Sequence, residues 1–173
     1  MAIREIIRMG NPILARKSHP IKSDDIGTLP DVVQDMIDTM RDANGVGLAA
    51  PQIGLNIRLI VFEIPASRQT ASDRETPIGP QVLINPRIVQ FSEEVELEWE
   101  GCLSIPGLKG EVPRYSSIEY SAIDSEGNIL KRDAFGFHAR VVQHELDHLD
   151  GILYPERMSN LRQFGFVDEL EEN

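Results

Sequence analysis

His144-Glu145-Leu146-Asp147-His148 is the segment of this chain whose residue types and spacing most directly carry chemistry. On an α-helix, histidines four positions apart lie one turn apart and about 40° around the axis, so both imidazoles can bind one metal ion. Glu145 projects beside them without being a ligand. A carboxylate there can accept a proton from water acidified by the ion and later deliver it to a leaving amine, which is hydrolytic chemistry. As ordinary helix residues, the two histidines would share a face with Phe137 and Val141 and would need other polar partners when buried.

A catalytic site usually takes three protein ligands and keeps one position open. The longer motif H-E-x-x-H-x-x-G-x-x-H is matched through Gly151 and then fails, because Tyr154 stands where the third histidine belongs. A downstream glutamate would have to be Glu169 or a neighbour in the acidic stretch 168–173, which reads as a frayed tail and a poor ligand carrier. The remaining candidate is Cys102, the only cysteine, set in Glu100-Gly101-Cys102-Leu103-Ser104 just after a strand-like segment. With no second cysteine it forms no internal disulfide, and it is a buried hydrophobe, a nucleophile or a ligand. The missing third ligand favours ligation, and its soft sulfur suits iron(II) or zinc.

The elements that must hold these residues can be read from periodicity. Apolar residues from about Phe135 to Asp150 fall on two sides of a helix stopped by Gly151, with polar character largely confined to Arg140, Gln143, Asp147 and Asp150. Such a helix belongs inside a domain. Val33, Met36, Ile37 and Met40 predict a structural helix that starts near Thr28–Pro30 and ends at Asn44-Gly45, and residues 45–54 read as a tight Gly-rich loop. Arg58–Ile64, Val82–Ile84, Ile88–Phe91 and Val95–Trp99 are strand-like, Ser117–Ile123 and Ile129–Arg132 form a hairpin, and residues 66–80 are an exposed loop. Trp99 is read as packing, and His19 and His138 as structural or exposed.

A chain of 173 residues fits one domain over residues 1–173. Seventeen basic against 28 acidic residues give a net charge of −11, which disfavours a broad nucleic-acid or anionic-membrane surface but leaves room for a small basic patch. No run reaches membrane-spanning length and the start carries no signal-like apolar stretch, so a cytoplasmic location is expected, without membrane or direct nucleic-acid partners.

Three segments, Gly45-Val46-Gly47-Leu48-Ala49-Ala50-Pro51-Gln52, Glu100-Gly101-Cys102-Leu103-Ser104 and Gln143-His144-Glu145-Leu146-Asp147-His148, together resemble the peptide deformylases in motif, order and separation. The resemblance spans almost the whole chain. It implies an α+β fold with β-sheets surrounding a central helix that carries the histidines, and removal of the formyl group from the N-terminal formyl-methionine of nascent polypeptides, releasing formate. By motif position, Cys102, His144 and His148 would hold one divalent ion, Fe2+ in the cell and Zn2+, Ni2+ or Co2+ as alternatives. Glu145 would be the general acid/base, and Gln52 with the backbone N–H of Leu103 would receive the oxyanion. Gly45, Val46 and Gly47 would meet the substrate peptide, and Val46, Phe137 and Val141 would line a methionine pocket. Partners would be N-formyl-methionyl nascent peptides and, transiently, the ribosome, although the chain ends acidic where some relatives carry a basic docking helix. The other expectation is a metalloprotease that cleaves internal peptide bonds with a glutamate ligand from the tail.

Overall fold

The spacing at Val33, Met36, Ile37 and Met40 produces α1 (Pro30–Asp42), with a proline in its first turn. Asn44 takes a left-handed φ of 54°, and Gly45 N–H returns to Met40 C=O at 2.8 Å, closing the helix C-terminus. The structure, a computed structural model, describes residues 2–68 and 77–171. After α1 come β1 (Gly47–Ala49), β2 (Leu59–Ile64), β3 (Ile78–Phe91), β4 (Val95–Cys102), β5 (Ile105–Tyr115), β6 (Ser117–Ile123) and β7 (Ile129–Phe135). The chain continues with α2 (Gly136–Leu149), β8 (Phe164–Phe166) and α3 (Val167–Glu171).

Two antiparallel sheets result, one in the order β1-β2-β3-β6-β7 and the other β4-β5-β8. Strand β2 shows how the larger sheet is built: Leu59 and Val61 join the core under α1, whereas Ile60, Phe62 and Ile64 join the core under α2. A strand buried on both faces needs a continuous apolar run, which Leu59–Phe62 supplies. On its other side α2 meets the smaller sheet, where Ile105 and Val112 pack with Leu153 and Tyr154. The helix carrying both histidines therefore lies between sheets, and the fold is α+β as the motifs imply. Gly151 follows it at φ 75°, where a Cβ would collide with the backbone of Ala15 and Arg16.

Several expectations change. The segment from residue 45 is not all loop: Gly47–Ala49 pairs with Ile60–Phe62, and a 3-10 turn follows at Ala50–Ile53. The two short strands expected at 82–84 and 88–91 are one strand, β3, whose register shifts between Ile84 and Arg87. Pro86 lies within that shift, and Asn85 at φ 51° binds both the N–H and C=O of Ile21 with its side chain. Strand β5 was hidden by Pro106, Gly107, Gly110 and Pro113, yet pairs with β4 along most of its length. The frayed tail expected from residue 168 is helical to Glu171, because the Leu170 side chain packs over Gly165. Of the expected loop at 66–80, Ala66–Arg68 form a 3-10 turn and a strand begins at Ile78, whereas residues 69–76, like 172–173, lie outside the described residues.

Candidate functional site

His144 and His148 project from α2 toward the tip of the β4–β5 hairpin, where Cys102 pairs with Ile105 across the two-residue turn Leu103-Ser104. The ligand atoms of Cys102, His144 and His148 all lie within 4.8 Å of one another, and Cys102 Sγ is 3.3 Å from His148 Nε2. His144 Nδ1 donates to Glu100 Oε2 at 2.9 Å; a carboxylate only accepts, so the proton sits on Nδ1 and Nε2 is left to bind an ion. His148 Nδ1 is buried and unpartnered. One thiolate and two imidazoles are a donor set that fits a divalent transition-metal ion. Glu169, the alternative ligand, is not part of this cluster.

Glu145 stands beside the cluster, 4% exposed, and its Oε2 has no hydrogen-bond partner. Burial pushes its carboxyl up to about 7, in the range where a group can both take and give a proton near neutrality. Gly47 lies against it so closely that a Cβ there would overlap the carboxylate. Gly45, two positions earlier, is also constrained: a Cβ there would press on the Leu103 side chain at 2.8 Å.

Gln52 is held with its acceptor and donor sorted. Its Oε1 accepts from Ala49 N–H at 2.9 Å, so Nε2 faces Ser104 Oγ at 3.2 Å and Cys102 Sγ at 3.6 Å. The N-terminal segment fixes both supports, since Ile7 N–H donates to Gln52 C=O and Met9 N–H to Ser104 C=O, each at 2.8 Å. Gly45, Val46, Gly47, Gln52, Cys102, Leu103, Phe137, Val141, His144 and Glu145 all border one cavity of about 580 Å³. The structure thus brings together every residue expected in the site from the motifs, with His148 buried just behind the wall at 1% exposure.

A buried charge network missed in the sequence underlies the site. Glu100 accepts from Arg114 at 2.9 and 3.0 Å and from Arg140 at 2.8 Å, besides His144. Arg114 reaches on to Asp147 at 2.6 Å, which also pairs with Arg157. Burial works against the Glu100 carboxylate, but the hydrogen bonds from His144 and Arg114 outweigh it and hold the group well below the usual range. Arg140, Gln143 and Asp147, expected as the polar side of α2, are therefore buried, and each finds a partner on β4 or β5. Trp99, read as packing, is 40% exposed, borders the cavity and carries Lys109 Nζ 5.5 Å above its ring. His138 is buried against Tyr120 and His19 is exposed.

Residues 3–164 match the family model described as polypeptide deformylase. The chain belongs to this family. It is 46% identical over 170 residues to peptide deformylase 1 of Nitrosomonas europaea, covering 97% of this chain and 94% of that protein. It is 49% identical to peptide deformylase 1 of Xanthomonas axonopodis pv. citri, covering 97% of both chains. Among solved structures, a ligand-bound class I type b peptide deformylase from Acinetobacter baumannii superposes with a TM-score of 0.84 at 32% identity, covering 91% of this chain and all of that one. The deformylase from Thermotoga maritima gives 0.82 at 34% identity, with 92% and 100% covered. The chain is accordingly a deformylase, a hydrolase that removes the formyl group from nascent polypeptides, and the endopeptidase reading is not favoured. The family is metal-dependent, in keeping with the Cys102, His144 and His148 cluster. Among the described residues no helix is long and apolar enough to cross a membrane.

Proposed function

We propose that Cys102, His144 and His148 hold the single divalent ion of this deformylase, iron(II) in the cell with zinc, nickel or cobalt as substitutes, and that Glu145 moves the proton. The observation that carries this reading is that three donors converge while Glu145 and Gln52 border the adjoining cavity, as an open catalytic site requires and a closed structural one does not. Such an ion supplies Lewis acidity toward the formyl carbonyl and toward water. Glu145, short of hydrogen bonds and raised toward neutrality, takes a proton from the attacking water and passes it to the departing amine. Gln52 Nε2, oriented by Ala49, and the Leu103 N–H at the hairpin turn donate to the oxygen that gains charge as the formyl carbon becomes tetrahedral.

The substrate is an N-formyl-methionyl peptide. β1 is an edge strand of the larger sheet, so the backbone from Gly45 to Gly47 can pair with an extended peptide. Val46, Phe137 and Val141 supply apolar wall for the methionine side chain. A nascent-chain substrate implies a cytoplasmic enzyme in transient contact with the ribosome. Anaerobically purified protein should release formate from an N-formyl-methionyl peptide and leave the N-acetyl analogue intact. Failure of both the purified and the metal-reconstituted protein to release formate would reject the reading.

A further inference from the structure

On the side of α2 away from the metal ligands lies a second cavity, of about 730 Å³. Its character is unlike the rest of an acidic chain: Lys17, Arg58, Arg87 and Arg157 converge on it against only two carboxylates, Asp147 and Asp150. Those carboxylates are already neutralised, Asp147 by Arg114 and Arg157 and Asp150 by Arg58 at 2.7 Å. Lys17 and Arg87 enter no ion pair among the described residues, so the cavity keeps a local positive excess.

The same cavity also has an apolar, solvent-facing part. Phe91 and Tyr115 are 48% and 40% exposed with ring centroids 4.5 Å apart, and Val95 beside them is 51% exposed. Arg114 and Gln143 also line the cavity, each about 5% exposed and each hydrogen-bonded across the fold. A pocket of this size, with an aromatic part and a cationic part, suits a small ligand built the same way.

We infer that this cavity is a binding site for a phosphorylated aromatic compound of mononucleotide size, its ring against Phe91 and Tyr115 and its phosphates on Lys17 and Arg87. Arginine at the rim favours phosphate through its planar set of donors. The site shares no residue with the metal-site cavity, so the inference stands or falls independently of the deformylase mechanism.

Calorimetric titration of the metal-loaded enzyme with ADP, adenosine and inorganic phosphate tests it. ADP should bind saturably and at least about tenfold more tightly than either fragment, because only it engages both parts. Lys17→Glu, Arg87→Glu and Phe91→Ser, all at exposed positions, should each weaken ADP by about tenfold while leaving the melting temperature and formate release unchanged. ADP binding that survives all three substitutions would place the nucleotide elsewhere and overturn the assignment, as would the absence of saturable binding. A ten-residue oligoribonucleotide should bind no more tightly than ADP; if it alone binds, a polymer and not a small ligand is recognised and the inference is wrong.

Discussion

Replacing Glu145 by glutamine should stabilise the metal-free protein, and by an amount that depends on pH in a defined way. The carboxyl is 4% exposed with one oxygen unpartnered, and its burial raises it from an ordinary 4.5 to about 7. A carboxyl raised on folding favours the native state only while it is protonated. Its contribution is fully present below the unfolded value and is lost as pH rises through the folded value. At about 1.4 kcal/mol per pH unit, the interval from 4.5 to about 7 corresponds to roughly 3 kcal/mol lost from the wild type. Glutamine stays neutral throughout, so its own burial cost is the same at every pH. The stability difference between variant and wild type should therefore grow from pH 5 to pH 7 and level off above about pH 8. For a chain of this length that is of the order of 6–12 °C in melting temperature. Urea unfolding of both proteins, stripped of metal, across this pH range reads the effect directly. A difference that is constant with pH would mean that Glu145 titrates normally in the folded protein, and the case for its neutral, proton-carrying role would fail.

Other perturbations have equally definite outcomes. Arg114→Ala leaves Glu100 and Asp147 as buried carboxylates short of a partner, and should cost about 3–5 kcal/mol in denaturant unfolding; a loss under 1 kcal/mol would show that the network is not structural. Gly47→Ala pushes a methyl group into the Glu145 carboxylate, so kcat/KM should fall roughly a hundredfold while the melting temperature moves little. Activity within twofold of wild type would contradict the packing described. Gln52→Leu should lower kcat by about 10²–10³ with metal content unchanged, which steady-state kinetics and metal analysis together check.

What the sequence made legible was whatever local spacing encodes. The four-residue interval between His144 and His148 puts both rings on one side of a helix, and Gly151 marks where that helix stops, so α2 and its paired histidines were readable in one dimension. Cys102 was reached by eliminating Tyr154 and the tail, and the fold places its sulfur within 4.8 Å of both histidines. Contacts made across the fold left no such trace. Glu100 is one acidic residue among several alternating along β4, and nothing local says that it, rather than Glu96 or Glu98, turns inward to hold His144. Arg140 and Asp147 look like the wet face of a helix until β4 and β5 cover them. Strand β5 was obscured because its prolines and glycines signal turns locally, while its pairing with β4 is a tertiary fact. The N-terminal lead looks irregular in sequence, yet through Ile7 and Met9 it ties the Gln52 turn to the cysteine hairpin.

The central claim is that one ion sits between a thiolate and two imidazoles, and because Cys102 is the only cysteine the thiolate can be read without ambiguity. Loading the metal-free protein with cobalt(II) and recording its electronic absorption spectrum tests this most directly. One cobalt per chain should appear together with a sulfur-to-cobalt charge-transfer band. Stoichiometric cobalt without that band would mean that the ion is held by other ligands, and the site described would be wrong.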